Sequence, residues 1–475
     1  MYLVNRQFRM GEAAVLEALN DQFVIVLGLP EDRLVKFQKI CVLGLGYIGL
    51  PTASTFATHG LEVVGVDVNP SVIETLRNGG LHIHEPGLRT LVQAALGSGN
   101  LRISESPEPA DAYIIAVPTP ILDGHTADLS YVEAAAKSIV PCLSRGNLVV
   151  LESTSPPTTT ECFLTNILQS SGLTAGRDYC LAYTPERVLP GQILSELIEN
   201  ARVIGGVDRR SAEAGRDLYR TFVRGEIFLT GATTAEMVKL MENTYRDINI
   251  AIANEFSHLA EKFGIDVWQA IQIANHHPRV DILRPGPGVG GHCIGVDPWF
   301  LVEAAPELTD LIRAAREVND RQPLHIVEMV EEILSESGQA ESLQGVKVAA
   351  LGLSYKPDVD DLRESPALSV SSELSQRGAF VKAYEPYLKN KQQIRFDCVD
   401  TLQEALADVD LILLLVPHAP FLELKPEQVA KLSHARLIVD TVNAWSSPDW
   451  ESYGFSMARL GVGKKRISDR FDDIE

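Results

Sequence analysis

Residues 40–67 constrain this chain more than any other stretch. A short apolar run, 40–43, leads into Gly44-Leu45-Gly46-Tyr47-Ile48-Gly49. A helical stretch follows and closes at Gly60, and a second apolar run, 63–66, ends on Asp67. Three glycines at this spacing arise often by chance. Between a strand and a helix, with an acid after the next strand, they have a specific use. The first makes the tight turn, the second lets a pyrophosphate approach the backbone, and the third permits close helix packing. The helix N-terminus then faces the phosphates. Gly44, Gly46, Tyr47, Ile48 and Gly49 are therefore the expected cofactor turn, and Asp67 the acceptor for both ribose hydroxyls. A carboxylate there repels a 2′-phosphate, and Val68 and Asn69 follow with no arginine, so NAD is favoured over NADP. The alternative is a tight turn with no ligand.

The alternation of strand and helix continues through apolar runs at 113–117 and 148–151, as in a parallel sheet with helices on both faces. The middle of the chain differs. Residues 233–263, 266–274 and 311–334 carry apolar residues at helical spacing, and a loop rich in Gly and Pro, 284–298, lies among them. From 346 the alternation restarts, with strands at 346–351, 379–384, 411–416 and, as the last, 436–439. The expected fold class is α/β: two Rossmann-like doubly wound parallel-sheet domains joined by a central all-helical region. A length of 475 residues accommodates two or three such cores. The expected organisation is an N-terminal extension of unknown role (1–37), an NAD-binding domain (38–230), a central helical domain carrying a cysteine loop (231–335), a second Rossmann-like domain (336–460) and a polar tail (461–475).

The net charge is −21, which disfavours nucleic acid and anionic lipid as partners. An anionic substrate must then be met by individual Arg or Lys residues or by helix N-termini. The longest apolar runs, 23–30 and 411–417, are far too short to cross a membrane, and no secretory cleavage pattern precedes them. The six cysteines are scattered without a CxxC pair. Neither a disulfide framework nor a metal site is expected, and the chain reads as cytoplasmic.

The segment Gly288-Val289-Gly290-Gly291-His292-Cys293-Ile294-Gly295-Val296-Asp297 carries the strongest chemical signal. Glycines around a single thiol allow backbone to come close to a ligand, and a cysteine in such a loop is unlike the usual buried one. A thiolate adds to an aldehyde, hydride loss gives a thioester, and water cleaves it. Asp297 lies four residues on and can return to the same site. The bland alternative is a Gly-rich turn with an incidental cysteine. His292 either lowers the thiol pKa or simply packs. For Cys142, Cys162, Cys180 and Cys398, in or beside expected helices and strands, burial in the core is the expectation.

Lys239 and Asn243 share one helical face, next to an apolar packing side formed by Met237, Leu240 and Met241. They suit an oxyanion, although a solvated face is the commoner fate of such residues. Glu186, after the strand-like 180–183, suits a general base or is a surface carboxylate. Thr154 ends the strand 148–151 and is placed to hold a water. Thr119 ends 113–117, where cofactors sit in open α/β sheets, or is a Pro-flanked turn residue.

Taken together, these segments resemble the UDP-glucose/GDP-mannose dehydrogenase family from about residue 39 to about 445. The landmarks are Gly44–Gly49, Glu152-Ser153-Thr154, Thr184-Pro185-Glu186-Arg187, Glu236-Met237-Val238-Lys239 with Asn243, Gly290-Gly291-His292-Cys293 with Asp297, and Gly352-Leu353-Ser354-Tyr355-Lys356-Pro357 leading to Arg363-Glu364-Ser365-Pro366. The resemblance implies an NAD-dependent four-electron oxidation of a UDP-sugar at carbon six. Cys293 would be the nucleophile, with Lys239 and Asn243 at the oxyanion. Asp297, Glu186 and Thr154 would serve proton transfer and hydrolysis. Lys356 and Gly290 would meet the substrate, Arg363 and Thr154 the cofactor side, and the second α/β domain the UDP group. It also implies a homodimer through the central helices, or a higher homo-oligomer. Arg187, Val188 and Leu189 before Pro190-Gly191, and His277-Pro278-Arg279-Val280, resemble the subgroup that acts on UDP-N-acetylmannosamine. UDP-N-acetylglucosamine and UDP-glucose stay open as substrates, and a non-catalytic nucleotide-binding module is the alternative of another class.

Overall fold

The computed structural model describes residues 37–463, apart from 84, 389, 390, 392, 393, 446 and 447. The expectations for the N-terminal extension and for most of the polar tail lie outside these residues. The chain divides into two compact units, Met1–Lys239 and Leu240–Glu475.

The first unit is built on β1 (Lys39–Leu43), β2 (Glu62–Val66), β3 (Leu101–Ser104), β4 (Ala112–Ile115), a small hairpin of β5 (Ile121–Leu122) and β6 (Thr126–Ala127), β7 (Leu148–Leu151), β8 (Cys180–Tyr183), β9 (Arg202–Gly206) and β10 (Ile227–Gly231). The main sheet has the order β10-β9-β8-β7-β4-β1-β2-β3. Every pair is parallel except β8–β9. Its central strands β1, β4, β7 and β8 are apolar at nearly every position because both faces are covered. Ile40, Val42 and Val63 point into one core, and Cys41, Leu43 and Val64 into the other.

The second unit carries β11 (Lys347–Leu351), β12 (Phe380–Tyr384), β13 (Asp397–Cys398), β14 (Leu411–Leu414), β15 (Leu437–Asp440) and β16 (Ser456–Arg459). They form an all-parallel sheet, β13-β12-β11-β14-β15-β16. With the hairpin and the β9–β10 extension set aside, both sheets follow the dinucleotide-fold order 3-2-1-4-5-6. Helices Ala232–Phe263, Val267–Ala274, Asp297–Ala304 and Asp310–Glu336 fill the middle of the chain.

The last strand is β16, not 436–439 as expected. β3, β9, β10 and β13 also went unmarked in the sequence. They are short edge strands or, like β9, end on glycines, so their apolar signal is weak. The loop expected over 284–298 ends early, because Asp297 and Pro298 open a helix, proline being suited to a first turn. The 27-residue helix Asp310–Glu336 runs through Pro323, which leaves the carbonyl of Asn319 without its helical donor.

Candidate active site

In the first unit the glycines of the 44–49 turn are required for different reasons. Gly44 has φ +92°, and a Cβ there would lie 2.5 Å from the Ala116 carbonyl oxygen. A Cβ on Gly49 would strike the Gly44 carbonyl oxygen. Gly46 has neither a positive φ nor any atom within 4 Å of such a Cβ. Nothing among the described residues demands glycine at 46, which fits a position kept bare for a ligand. No side chain caps the helix Gly49–Thr58, and no acid lies in its first turn, so its N-terminus suits an anion. Asp67, half-buried, accepts the Leu45 N–H (2.9 Å) and the Asn69 N–H (2.9 Å). That leaves about two of a carboxylate's four acceptor sites for a ribose. His82 donates to the Leu45 carbonyl at 3.0 Å, a contact on this turn that the sequence did not signal. Thr119 Oγ1 donates to the Thr154 carbonyl at 2.7 Å, so these two candidates meet at the ends of β4 and β7.

Glu186 is buried and not a surface carboxylate. Arg202 Nη2 binds its Oε2 at 2.7 Å, and the Arg187 N–H binds its Oε1 at 2.7 Å. Its peptide oxygen accepts Lys239 Nζ at 3.0 Å. Lys239 is buried too, so the solvated-face alternative fails for it. Arg202 Nη1 reaches Glu152 Oε1 (3.3 Å), and the Tyr219 hydroxyl donates to the same oxygen (3.1 Å). Burial pushes the Glu152 carboxyl up to about 7 against the pull of Arg202. A charge inside the strand Arg202–Gly206 was the available signal for this cluster, since a buried arginine needs partners. Loop 188–193, which holds the half-buried Val188 and the more exposed Leu189, is tied down by buried Glu85. That carboxylate accepts the Gly191 N–H (2.8 Å) and the Ile193 N–H (2.9 Å).

In the second unit Cys293 is exposed. Its carbonyl accepts the Asp297 N–H at 2.8 Å, which sets Asp297 one turn away at the head of Asp297–Ala304. Asp297 is buried and accepts Asn243 Nδ2 at 2.5 Å. Asn243 is buried as well, so neither residue of the Lys239/Asn243 pair lies on a solvated face. Met241, expected on the packing side, is 58% exposed instead.

The glycines of the cysteine loop are crowded by the chain itself. A Cβ on Gly290 would lie 2.4 Å from the Glu364 carbonyl oxygen, and one on Gly291 2.7 Å from the Tyr355 ring. At Gly288, with φ +138°, it would meet Pro366 and the Asn319 carbonyl. The backbone thus comes near protein here, where closeness to a ligand was expected. The Gly291 N–H donates to the Arg363 carbonyl at 3.2 Å. The Arg363 guanidinium grips Asp361 (2.8 and 2.6 Å). Lys356, half-buried, accepts the Ser354 hydroxyl at its carbonyl (2.7 Å). Partial desolvation, and then the charge of Arg363, hold His292 below the ordinary histidine value. That direction disfavours an imidazolium beside the thiol. Arg279 lies in an exposed turn, its N–H on His277 Nδ1 (3.3 Å). Of the other cysteines, Cys180 is buried, Cys142 and Cys398 are half-buried, and Cys162 is exposed, so core burial fails for Cys162.

The second sheet repeats the device of the first. Gly352 has φ +89° and no room for a Cβ beside Val416, and Glu385 ends β12 as Asp67 ends β2. Glu385, however, is buried, and its Oε2 accepts Leu353 N–H (2.7 Å), Ser354 N–H (2.9 Å) and His418 Nε2 (2.9 Å). Protein donors occupy the acid that a ribose would use. Only the first unit presents an accessible carboxylate at this point.

Two dinucleotide-type sheets, one of them with its ribose acid accessible, together with an exposed thiol in a Gly-rich loop, define an NAD-dependent dehydrogenase. Residues 38–223 match the NAD binding domain of the UDP-glucose/GDP-mannose dehydrogenase family, 233–321 its central domain and 349–447 its UDP binding domain. The chain belongs to that family. It is 47% identical over 433 residues, 90% of this chain and 97% of the relative, to a UDP-N-acetyl-D-mannosamine dehydrogenase of Methanocaldococcus jannaschii. It is also 47% identical over 429 residues (87% and 97%) to an NDP-N-acetyl-D-galactosaminuronic acid dehydrogenase of Ralstonia nicotianae. The structure of a UDP-D-ManNAc dehydrogenase from Pyrococcus horikoshii superposes with a TM-score of 0.84 at 41% identity, over 90% of this chain and all of that one.

Proposed function

We propose that this chain oxidises UDP-N-acetyl-D-mannosamine at carbon six to the uronate, reducing two NAD. The relatives of that name, at 43% to 47% identity, are the observation that carries the substrate. The first oxidation takes the alcohol to the aldehyde, with loss of a hydride and a proton. The Cys293 thiolate adds to the aldehyde carbon, a second hydride leaves the thiohemiacetal carbon, and water releases the uronate from the thioester. Bound NAD supplies the hydride acceptor for each oxidation. Lys239 and Asn243, both buried, are suited to the oxyanion at carbon six. Asp297, one turn from Cys293, is suited to take the proton of thiol or water. Thr154 stands where a water can be held. Lys356, Arg187, Val188, Leu189, Gly290 and Arg279 are assigned to the substrate, and Arg363 to the cofactor side.

We further assign residues 38–230 to NAD, 231–335 to the central helices and 336–460 to UDP. All six cysteines are free, which supports a cytoplasmic location. No helix among the described residues is long and apolar enough to cross a membrane. Self-association is supported by Met241, Tyr245, Ile252, Phe256, Leu259 and Phe263, all exposed on Ala232–Phe263. Their spacing puts them within one stripe, a face suited to a second copy of the chain.

The test counts NADH per sugar consumed with UDP-N-acetylmannosamine, UDP-N-acetylglucosamine, UDP-N-acetylgalactosamine and UDP-glucose. Two NADH with the first, and little turnover of the rest, is the expected result. Two NADH with the galactosamine substrate alone would move the assignment to the second reading, which the equal identity to the Ralstonia relative favours. One NADH per sugar would remove the thioester. Cys293→Ala is expected to lower kcat roughly a thousandfold or more.

A further inference from the structure

In the second sheet the loops after β12, β11 and β14 meet at one buried histidine. The three strands are neighbours, and in this strand order the ligand crevice opens between β11 and β14, where the order reverses. His418, beyond β14, is fully buried. Its Nδ1 accepts the Asp358 N–H at 2.9 Å. Its proton is therefore assigned to Nε2, which donates to Glu385 Oε2 at 2.9 Å. The exchange is mutual, because Asp358 Oδ1 accepts the N–H of Ala419 at 2.9 Å. Asp358 holds φ +62°, a left-handed conformation that aspartate and asparagine tolerate better than most side chains. Two hydrogen bonds thus clasp the loop after β11 to the loop after β14, across the mouth of the crevice.

The clasp encloses a turn with a task. Residues 353–358 include Tyr355 and Lys356. Leu353 and Ser354 give their N–H groups to Glu385 (2.7 and 2.9 Å), and Ser354 Oγ donates to the Lys356 carbonyl (2.7 Å). The backbone is therefore held on both sides of Lys356, at 354 through the carboxylate and at 358 through the histidine. Tyr355 lies between the same anchors. Its ring occupies the space beside Gly291, where a Cβ would stand 2.7 Å from it. Placement of the turn accordingly supports the cysteine loop as well. A charge that a turn presents to a ligand loses much of its effect when displaced by about an ångström, and a buried, hydrogen-bonded network resists that displacement.

We infer that His418 is a positioning residue for the substrate: with Asp358 it clasps the turn 353–358 and so holds Lys356 where the UDP-sugar is met and the Tyr355 ring against the cysteine loop. The inference rests on the assignment of Lys356 to the substrate made above. It differs from a purely structural role for the histidine by what it changes. A bracket on the substrate turn governs the affinity for UDP and leaves the NAD turn of the first unit alone, whereas a packing residue governs stability.

The experiment measures the Kd of UDP and of NAD by titration calorimetry, beside the melting temperature, for wild type, His418→Gln, Asp358→Gly, Asp358→Asn and Lys356→Ala. His418→Gln offers no acceptor where Nδ1 stood. Asp358→Gly accepts the positive φ and removes Oδ1, whereas Asp358→Asn keeps both the acceptor and the φ. UDP is expected to bind about tenfold more weakly to His418→Gln and Asp358→Gly and within about threefold of wild type to Asp358→Asn, with the Kd of NAD changed less than about twofold throughout. A lower melting temperature with the UDP affinity intact would show a histidine that only packs, and would overturn the inference. So would an equal loss of UDP in Asp358→Asn and Asp358→Gly, since the acceptor would then not matter, or a parallel loss of NAD, which reports general loosening. Should His418→Gln fail to fold, the two variants of Asp358, an exposed residue, decide alone. Lys356→Ala binding UDP as wild type does is a separate outcome: it removes the assignment of Lys356 and the inference with it.

Discussion

Gly46 and Gly290 show how one residue type can serve opposite ends. At Gly46 a methyl group would meet nothing, whereas at Gly290 it would lie 2.4 Å from a carbonyl oxygen. Gly46→Ala is therefore expected to leave the melting temperature within a degree or two and to weaken NAD about tenfold, or about 1.4 kcal/mol, as titration calorimetry would show. Gly290→Ala is expected to cost about 1–3 kcal/mol of stability, read as a lower denaturation midpoint, and to lower kcat by displacing the cysteine loop. The opposite pattern at either site would show that the glycine's task has been misassigned.

The long helix Ala232–Phe263 is inverted relative to an ordinary surface helix. Its inward face carries buried polar side chains: Glu236, Lys239, Asn243, Asp247, Asn254 and Ser257. In the second unit Asp247 pairs with buried Arg316 at 2.5 Å. Asn254 accepts the Gly286 N–H at 3.0 Å, at the entrance to the cysteine loop. In the first unit Glu236 accepts the N–H groups of Thr158 (2.6 Å) and Thr160 (2.8 Å) and the Thr160 hydroxyl (2.7 Å). Burial nonetheless raises its carboxyl to about 7. Because the folded value lies above the ordinary 4.5, the folded protein holds the proton more tightly between these pH values. Its contribution to stability is full below pH 4.5 and is lost as pH rises to about 7. The melting temperature of wild type relative to Glu236→Gln is thus expected to fall from pH 5 to pH 7. A difference that is flat or rises over that range would mean that Glu236 is ionised throughout and held by its three donors.

For the molecule as a whole, the exposed stripe on the same helix is the face proposed above for self-association. Tyr245 is 64% exposed and Met241 58%, a face that water covers poorly. Tyr245→Asp combined with Phe256→Asp is expected to give a monomer by sedimentation equilibrium where wild type sediments as a dimer or larger. A wild type that is monomeric at micromolar concentration would remove the proposal.

Spacing along the chain was enough to read the two α/β halves, the helical middle, a glycine turn that meets Asp67, and the return of Asp297 to the backbone of Cys293. These are local: each is written in spacing along a few turns of chain, and continuous apolar runs mark strands buried on both faces. That Lys239, Asn243 and Glu186 are buried, and that Glu385 is closed off by His418 while Asp67 is not, emerges from long-range packing. It also decided that Glu152 and Tyr219 converge on Arg202, and that the loop glycines make room for Tyr355 and Glu364. Burial and partnership of a polar group depend on residues tens or hundreds of positions away, and no periodicity records them. The edge strands were lost for a related reason: half-covered or glycine-bearing, they lack the apolar run that burial writes into the others.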